Sequence, residues 1–145
     1  MKEIAQMSAL GCGVACTASI LGMSYQEAEI LFLDGRRKAK EIGFYCREIV
    51  EVLARAGLDY DYKLIEEIPG NLEFVSGDIV FLKKSEKYPN GHYLLREGWN
   101  RWMDPWYNFP NEDRKAGSIR DLPEEPIYII YPVDTYRRNL RQKKN

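Results

Sequence analysis

Apolar positions recur with a helical period over residues 12–22, where Val14, Ala15, Ala18 and Leu21, joined by Cys16 and Thr17, fall on one side, and Gly22 is a stop signal. Ser24 followed by Glu27 has the spacing of a capping box and predicts a second helix over about 25–33, with Ala28, Leu31 and Phe32 turned to the core. The charged run 36–41 reads as an exposed loop. A third helix is predicted over about 45–56 from Ile49, Val50, Leu53 and Ala54, closed by Gly57. Beyond it the period changes. Residues 60–65 alternate as a strand does, Phe74-Val75 is a short apolar piece, and Ile79-Val80-Phe81-Leu82 is too short for a helix and suits a buried strand. Pro89-Asn90-Gly91 marks a turn into a strand over 92–96, with 101–104 as its hairpin partner across Glu97-Gly98-Trp99-Asn100, and 127–131 is a last strand. Helices first and antiparallel strands after them predict an α+β fold.

Length and composition narrow this picture. The 145 residues suit one domain, expected over 1–136, followed by a basic tail over 137–145 that holds Arg137, Arg138, Arg141, Lys143 and Lys144 and no acid. That tail reads as a solvated terminus rather than a nucleic-acid or lipid arm. The formal net charge of -1 gives no bulk attraction to nucleic acid or membrane. Residues 4–23 carry no charge, yet Gln6, Ser8, Thr17, Ser19 and three glycines make them a poor signal or membrane segment and a better buried core helix. Three cysteines are an odd count, which excludes a full disulfide framework and points to a reducing, cytoplasmic setting. They hold no CxxC pair, so Cys12, Cys16, Cys46 and His92 do not form a recognisable zinc set, and neither metal nor cofactor is expected.

Candidate chemistry centres on Cys12, which stands at the predicted start of the first helix. A helix N-terminus favours an anion, and the thiolate is the nucleophilic form of cysteine. Gly11 and Gly13 flank it and leave room for a substrate carbonyl. Taken alone, a free cysteine is as well read as a small core residue. His92, the one histidine in the chain, is the only residue able to take the thiol proton and return it to a leaving amine. Asp104 is at once a turn residue before Pro105 and a candidate to orient the imidazole, because a hairpin brings the start of one strand to the end of the next. Gln6, six residues before Cys12, is a candidate oxyanion donor beside the Cys12 N–H. Cys16 and Cys46 read as core residues. Trp99, Trp102, Trp106, Tyr107 and Phe109 read as hairpin and core packing, with Trp106 and Gly91 as candidate walls of a substrate site.

These residues resemble the C39 peptidases, papain-like enzymes known as N-terminal domains of bacteriocin-exporting ABC transporters. The resemblance spans roughly residues 4–131. It rests on Gln6 ahead of Cys12, on Cys12-Gly13-Val14-Ala15-Cys16, on Gly91-His92-Tyr93 followed by two leucines, and on Asp104-Pro105. It implies a papain-like cysteine protease fold with N-terminal helices packed on a C-terminal antiparallel sheet. It also implies peptide-bond cleavage by Cys12, His92 and Asp104, with Gln6 in the oxyanion hole. The family's exporters cut leader peptides after a double glycine. Two departures separate this chain from them: Gly11 stands where an acidic residue commonly precedes the nucleophile, and no transmembrane or nucleotide-binding segment follows, so an exporter is not expected.

The expectation is therefore a stand-alone cysteine peptidase acting on a peptide or protein. It has no nucleic-acid partner and no membrane span, and nothing in the sequence specifies an oligomeric state. A glutamine deamidase or acyltransferase built on the same site, and a peptide-binding module that keeps the cleft without catalysis, remain alternatives because a fold does not determine a reaction.

Overall fold

The computed structural model describes residues 1–133; the basic tail expected over 137–145 lies outside them. Four helices precede the sheet: α1 (Cys12–Leu21), α2 (Tyr25–Leu31), α3 (Gly35–Glu41) and α4 (Cys46–Arg55). Six strands follow: β1 (Tyr60–Leu64), β2 (Ile79–Leu82), β3 (His92–Gly98), β4 (Arg101–Asp104), β5 (Gly117–Ile119) and β6 (Pro126–Pro132). They form one sheet in the order β1-β6-β2-β3-β4-β5, with every pairing antiparallel. This is the expected α+β architecture, helices packed on an antiparallel sheet.

Strand alternation explains why the apolar runs are continuous. Ile79, Leu95, Met103 and Ile130 pack with the helices, on Val14, Ala18, Ile49 and Leu53 among others. Their chain neighbours Val80, Leu94, Trp102 and Ile129 point to the opposite face and are also fully or almost fully buried. Loops cover that second face through Phe74, Tyr88 and Ile68. Burial on both faces leaves no polar alternation in such strands. Each large aliphatic side chain removed from water here stabilises the fold by roughly 1.5–3 kcal/mol.

Several expectations change. α1 is buried from Cys12 through Ser19 on all sides, because it runs through the centre between the sheet and the other helices. It buries two hydroxyls: Thr17 donates back to the Gly13 carbonyl at 2.8 Å, and Ser19 donates to the Lys2 carbonyl. The Ser24–Glu27 capping box is present, but α2 stops at Leu31, which is 37% exposed. Phe32 leaves helical geometry and turns its ring onto Phe44 at 4.7 Å. The stretch 36–41 is a helix and not a loop. Asp34 turns the chain with φ 56°, and Gly35 fits where any Cβ would collide with the Glu29 carbonyl. Only Gly35 and Ala39 of α3 are buried, so it has almost no apolar stripe to read. On α4, Val52 rather than Ala54 completes the buried face with Ile49 and Leu53. β3 runs on to Gly98, so the hairpin turn narrows to Trp99-Asn100, and Trp99 is 88% exposed at its tip instead of packed.

Candidate active site

Three elements meet where α1 begins. Gly11 occupies the N-cap position, so Cys12 opens the helix and its N–H is one of the first-turn donors with no intrahelical acceptor. β3 begins at His92 and β4 ends at Asp104. The antiparallel β3–β4 pair brings those two ends together, and His92 Nε2 lies 2.7 Å from Asp104 Oδ1 with both side chains buried. The same oxygen accepts the Trp106 N–H at 2.9 Å, which holds the carboxylate in place. Across the helix–sheet junction, the Tyr93 N–H donates to Cys12 Sγ at 3.4 Å, which sets the sulfur against the start of β3, and Cys12 and His92 line the same cleft. With Nε2 committed to Asp104, the nitrogen left for the sulfur is Nδ1.

The electrostatics follow from this line of three groups. Burial pulls the His92 pKa down, but the hydrogen bond to Asp104, with Cys12 and the carboxylate charge close by, outweighs it, and the result is pushed up to about 9. The imidazole therefore carries its proton through neutral pH. Burial governs the other two thiols. Burial holds Cys16 far above the ordinary thiol range. Cys46 is pushed up to about 11 by burial, although its contact with Tyr93 Oη opposes the rise. Neither is a thiolate at neutral pH, and all three cysteines are free.

A cleft of about 660 Å³ opens onto the sulfur and the imidazole. Gly91 and Trp106 are among its lining residues. Gly91 has φ 75°, and a Cβ there would drive into the Phe81 ring, so glycine is required for the turn that delivers His92. Trp106 packs edge-on against Phe109 at 4.7 Å and donates its indole N–H to the Asn111 carbonyl. The Arg114 guanidinium lies 4.5 Å over its ring. Gly11 and Gly13 are not among the described lining residues. They make room for protein instead: Gly11 faces the Tyr25 hydroxyl, and Gly13 faces Ile49 and Tyr93. Tyr107, expected as packing, is 56% exposed.

Gln6 is buried next to the Asp104-Pro105 corner, and its backbone N–H donates to the Pro105 carbonyl at 3.1 Å. Its side-chain Nε2 donates to the Ser8 and Ala9 carbonyls, both at 3.0 Å, while Oε1 is buried with no partner. The amide thus serves the turn ahead of α1 and does not stand free beside the sulfur.

Sequence reasoning missed Tyr88. Its ring stacks on the His92 imidazole at 4.4 Å and 5°, and it is itself buried against Phe109. The Pro89-Asn90-Gly91 turn signal obscured it, since a tyrosine one residue before a turn carries no period. Among the described residues no cluster of three or more His, Cys, Asp or Glu is placed to hold a metal ion, and no helix is long and apolar enough to cross a membrane.

No protein-family model matches the sequence, and no curated protein matches it. Solved structures that match include the peptidase domain of Streptococcus ComA, a bifunctional ABC transporter involved in a quorum-sensing pathway. Identity is 19%, the match covers 90% of this chain and 97% of that one, and the TM-score is 0.53. The chain shares the papain-like fold of that peptidase domain, in agreement with the resemblance carried by its motifs.

Proposed function

We propose that this protein is a cysteine peptidase in which Cys12 is the nucleophile, His92 the acid–base group and Asp104 its orienter. The observation that supports the reading is that Cys12, held by the Tyr93 N–H at 3.4 Å, and His92, held by Asp104 at 2.7 Å, line one cleft. The Cys12 thiolate adds to the carbonyl carbon of a peptide bound in the cleft, and the negative charge moves to the carbonyl oxygen. The Cys12 N–H, free at the helix start, is one donor to that oxyanion. Gln6 is the second, once one of its two hydrogen bonds to Ser8 and Ala9 is exchanged for the oxyanion. Protonated His92 gives its proton to the leaving amine as the C–N bond breaks. It then removes a proton from the water that hydrolyses the thioester and restores the thiol pair. The shared fold with a peptidase domain supports this reaction over others open to a thiol. A reducing compartment such as the cytoplasm suits three free cysteines.

Wild-type protein and Cys12→Ala, incubated with a peptide library and read by mass spectrometry, test the proposal. New peptide termini with the wild type alone are the expected result. Deamidated, uncut peptides would assign the same site to another reaction, and turnover by Cys12→Ala would remove the nucleophile. Gln6→Ala is expected to lower kcat by about 10²-fold with KM little changed, the signature of a lost oxyanion donor. An unchanged kcat would leave the Cys12 N–H as the working donor without Gln6.

A further inference from the structure

The charge of the cleft is segregated from that of the molecule. The chain holds 22 acidic residues against 21 lysines and arginines, yet no aspartate or glutamate is among the described residues that line the cleft. Two cations are: Arg47, one residue into α4, and Lys84, just past the end of β2. They approach from the helical side and the sheet side respectively. Lys87, which does not line the cleft, holds its Nζ 5.2 Å from the ring centroid of Tyr88, which does.

The surrounding carboxylates do not cancel this charge. Glu48 is taken by Lys38 and by the Tyr45 N–H. Glu51 meets Arg47 at 3.7 Å, but both side chains are well exposed, and such a pair is worth little in water. Glu124 is close enough to Tyr88 to act on its hydroxyl electrostatically, and it does not line the cleft. Asp104 is buried behind His92 and bonded to it. Between the cations the walls are apolar and aromatic, with Ile42, Phe44 and Phe81 set among Tyr45, Tyr62 and Tyr128. Tyrosine walls offer apolar area together with hydroxyl groups, a combination that holds side chains of mixed character. A cleft with positive groups on both walls concentrates negatively charged ligands.

We infer that the cleft selects peptide segments that carry a carboxylate side chain close to a large apolar or aromatic residue, with Arg47 and Lys84 as the specificity-determining cations. This deepens the proposed peptidase reading, since it names the class of peptide taken at the same site. The carboxylate pairs with the cations, and the apolar side chain packs on the aromatic walls between them. Extended or unfolded acidic segments are the substrates such a surface fits.

Binding separates this inference from the reaction. The probe is a library of N-acetylated, C-amidated hexapeptides randomised over Phe, Leu, Gly, Glu, Gln and Lys, offered to the Cys12→Ala protein, with retained members read by mass spectrometry. Peptides with Glu beside Phe or Leu are expected to be retained about fivefold over their Gln counterparts at low ionic strength, with the ratio falling toward one as salt is raised. Reversing both charges with Arg47→Glu and Lys84→Glu is expected to shift the preference to Lys-containing peptides. Lys40→Glu on α3, exposed and outside the cleft, is expected to leave the Glu preference intact. Equal retention of Glu and Gln peptides, or the same preference after charge reversal, or no retention at all, would overturn the inference. Selective retention by Cys12→Ala without cleavage by the wild type would count against the peptidase reading and leave the charge selection standing. Cleavage without acidic preference would do the reverse.

Discussion

His92 carries the sharpest consequences at the scale of single residues. Its ring is pinned by Asp104 on one edge and by Tyr88 on one face, and it shares a cleft with the Cys12 sulfur. Because it is the sole histidine, its titration is read directly from imidazole NMR signals without assignment by mutation. The midpoint is expected near 9, well above the ordinary 6.5. Asp104→Asn removes the carboxylate whose hydrogen bond is the largest single effect raising it and is expected to bring the midpoint down, with a large loss of kcat; an unmoved midpoint would show that the carboxylate does not control the ring. Activity that depends on protonated His92 is expected to fall as pH rises through about 9. How much of this was legible differs by residue. Cys12, His92 and Asp104 are readable because a helix start and two strand ends are encoded locally, and a hairpin does the rest. The orientation of the Gln6 amide is not, since it depends on which carbonyls the turn before α1 presents. The same holds for Gly11 and Gly13, whose partners Tyr25, Ile49 and Tyr93 are distant in sequence.

At the scale of elements, the site depends on how β3 is launched. Gly91→Ala forces both a positive φ on a residue with a Cβ and a collision with Phe81. It is expected to destabilise the fold by roughly 1–3 kcal/mol in denaturant unfolding and to lower kcat by displacing His92. Ser24→Ala, which breaks the capping box of α2, is expected to cost about 1 kcal/mol and leave kcat unchanged, because α2 carries no group of the site. A loss of activity in Ser24→Ala that exceeds its loss of folded protein would contradict this separation. Elements with a strong signal were legible: the Ser24–Glu27 box, the Gly57 stop and the four apolar residues of β2. α3 and β5 were not. α3 buries only a glycine and an alanine, and β5 is the three residues Gly-Ser-Ile, held by its pairing with β4 rather than by any pattern of its own. The exposed Trp99 belongs with them, because an aromatic residue at a hairpin tip cannot be told from a packed one without knowing what lies opposite.

For the whole molecule, the protonated imidazole at the junction of helices and sheet links folding to pH. A histidine whose folded pKa is raised from 6.5 to about 9 contributes stability that is fully present below about 6.5 and is lost as pH rises through about 9. The wild type is therefore expected to lose more Tm between pH 6 and pH 10 than Asp104→Asn does, and equal losses would show that the pair adds nothing to the fold. The same junction distributes reactivity among the three thiols: Cys12 and Cys46 both line the cleft, burial holds Cys16 and Cys46 protonated, and Cys12 alone accepts a backbone N–H of β3, that of Tyr93 next to His92. Mapping the adduct of a peptidyl electrophile at neutral pH, by mass spectrometry of the intact and digested protein, addresses this most directly. One adduct is expected, on Cys12, formed far more slowly in His92→Ala and absent from Cys16 and Cys46. Labelling spread evenly over the three cysteines, or a Cys12 adduct formed as fast without His92, would contradict the assignment of a catalytic pair.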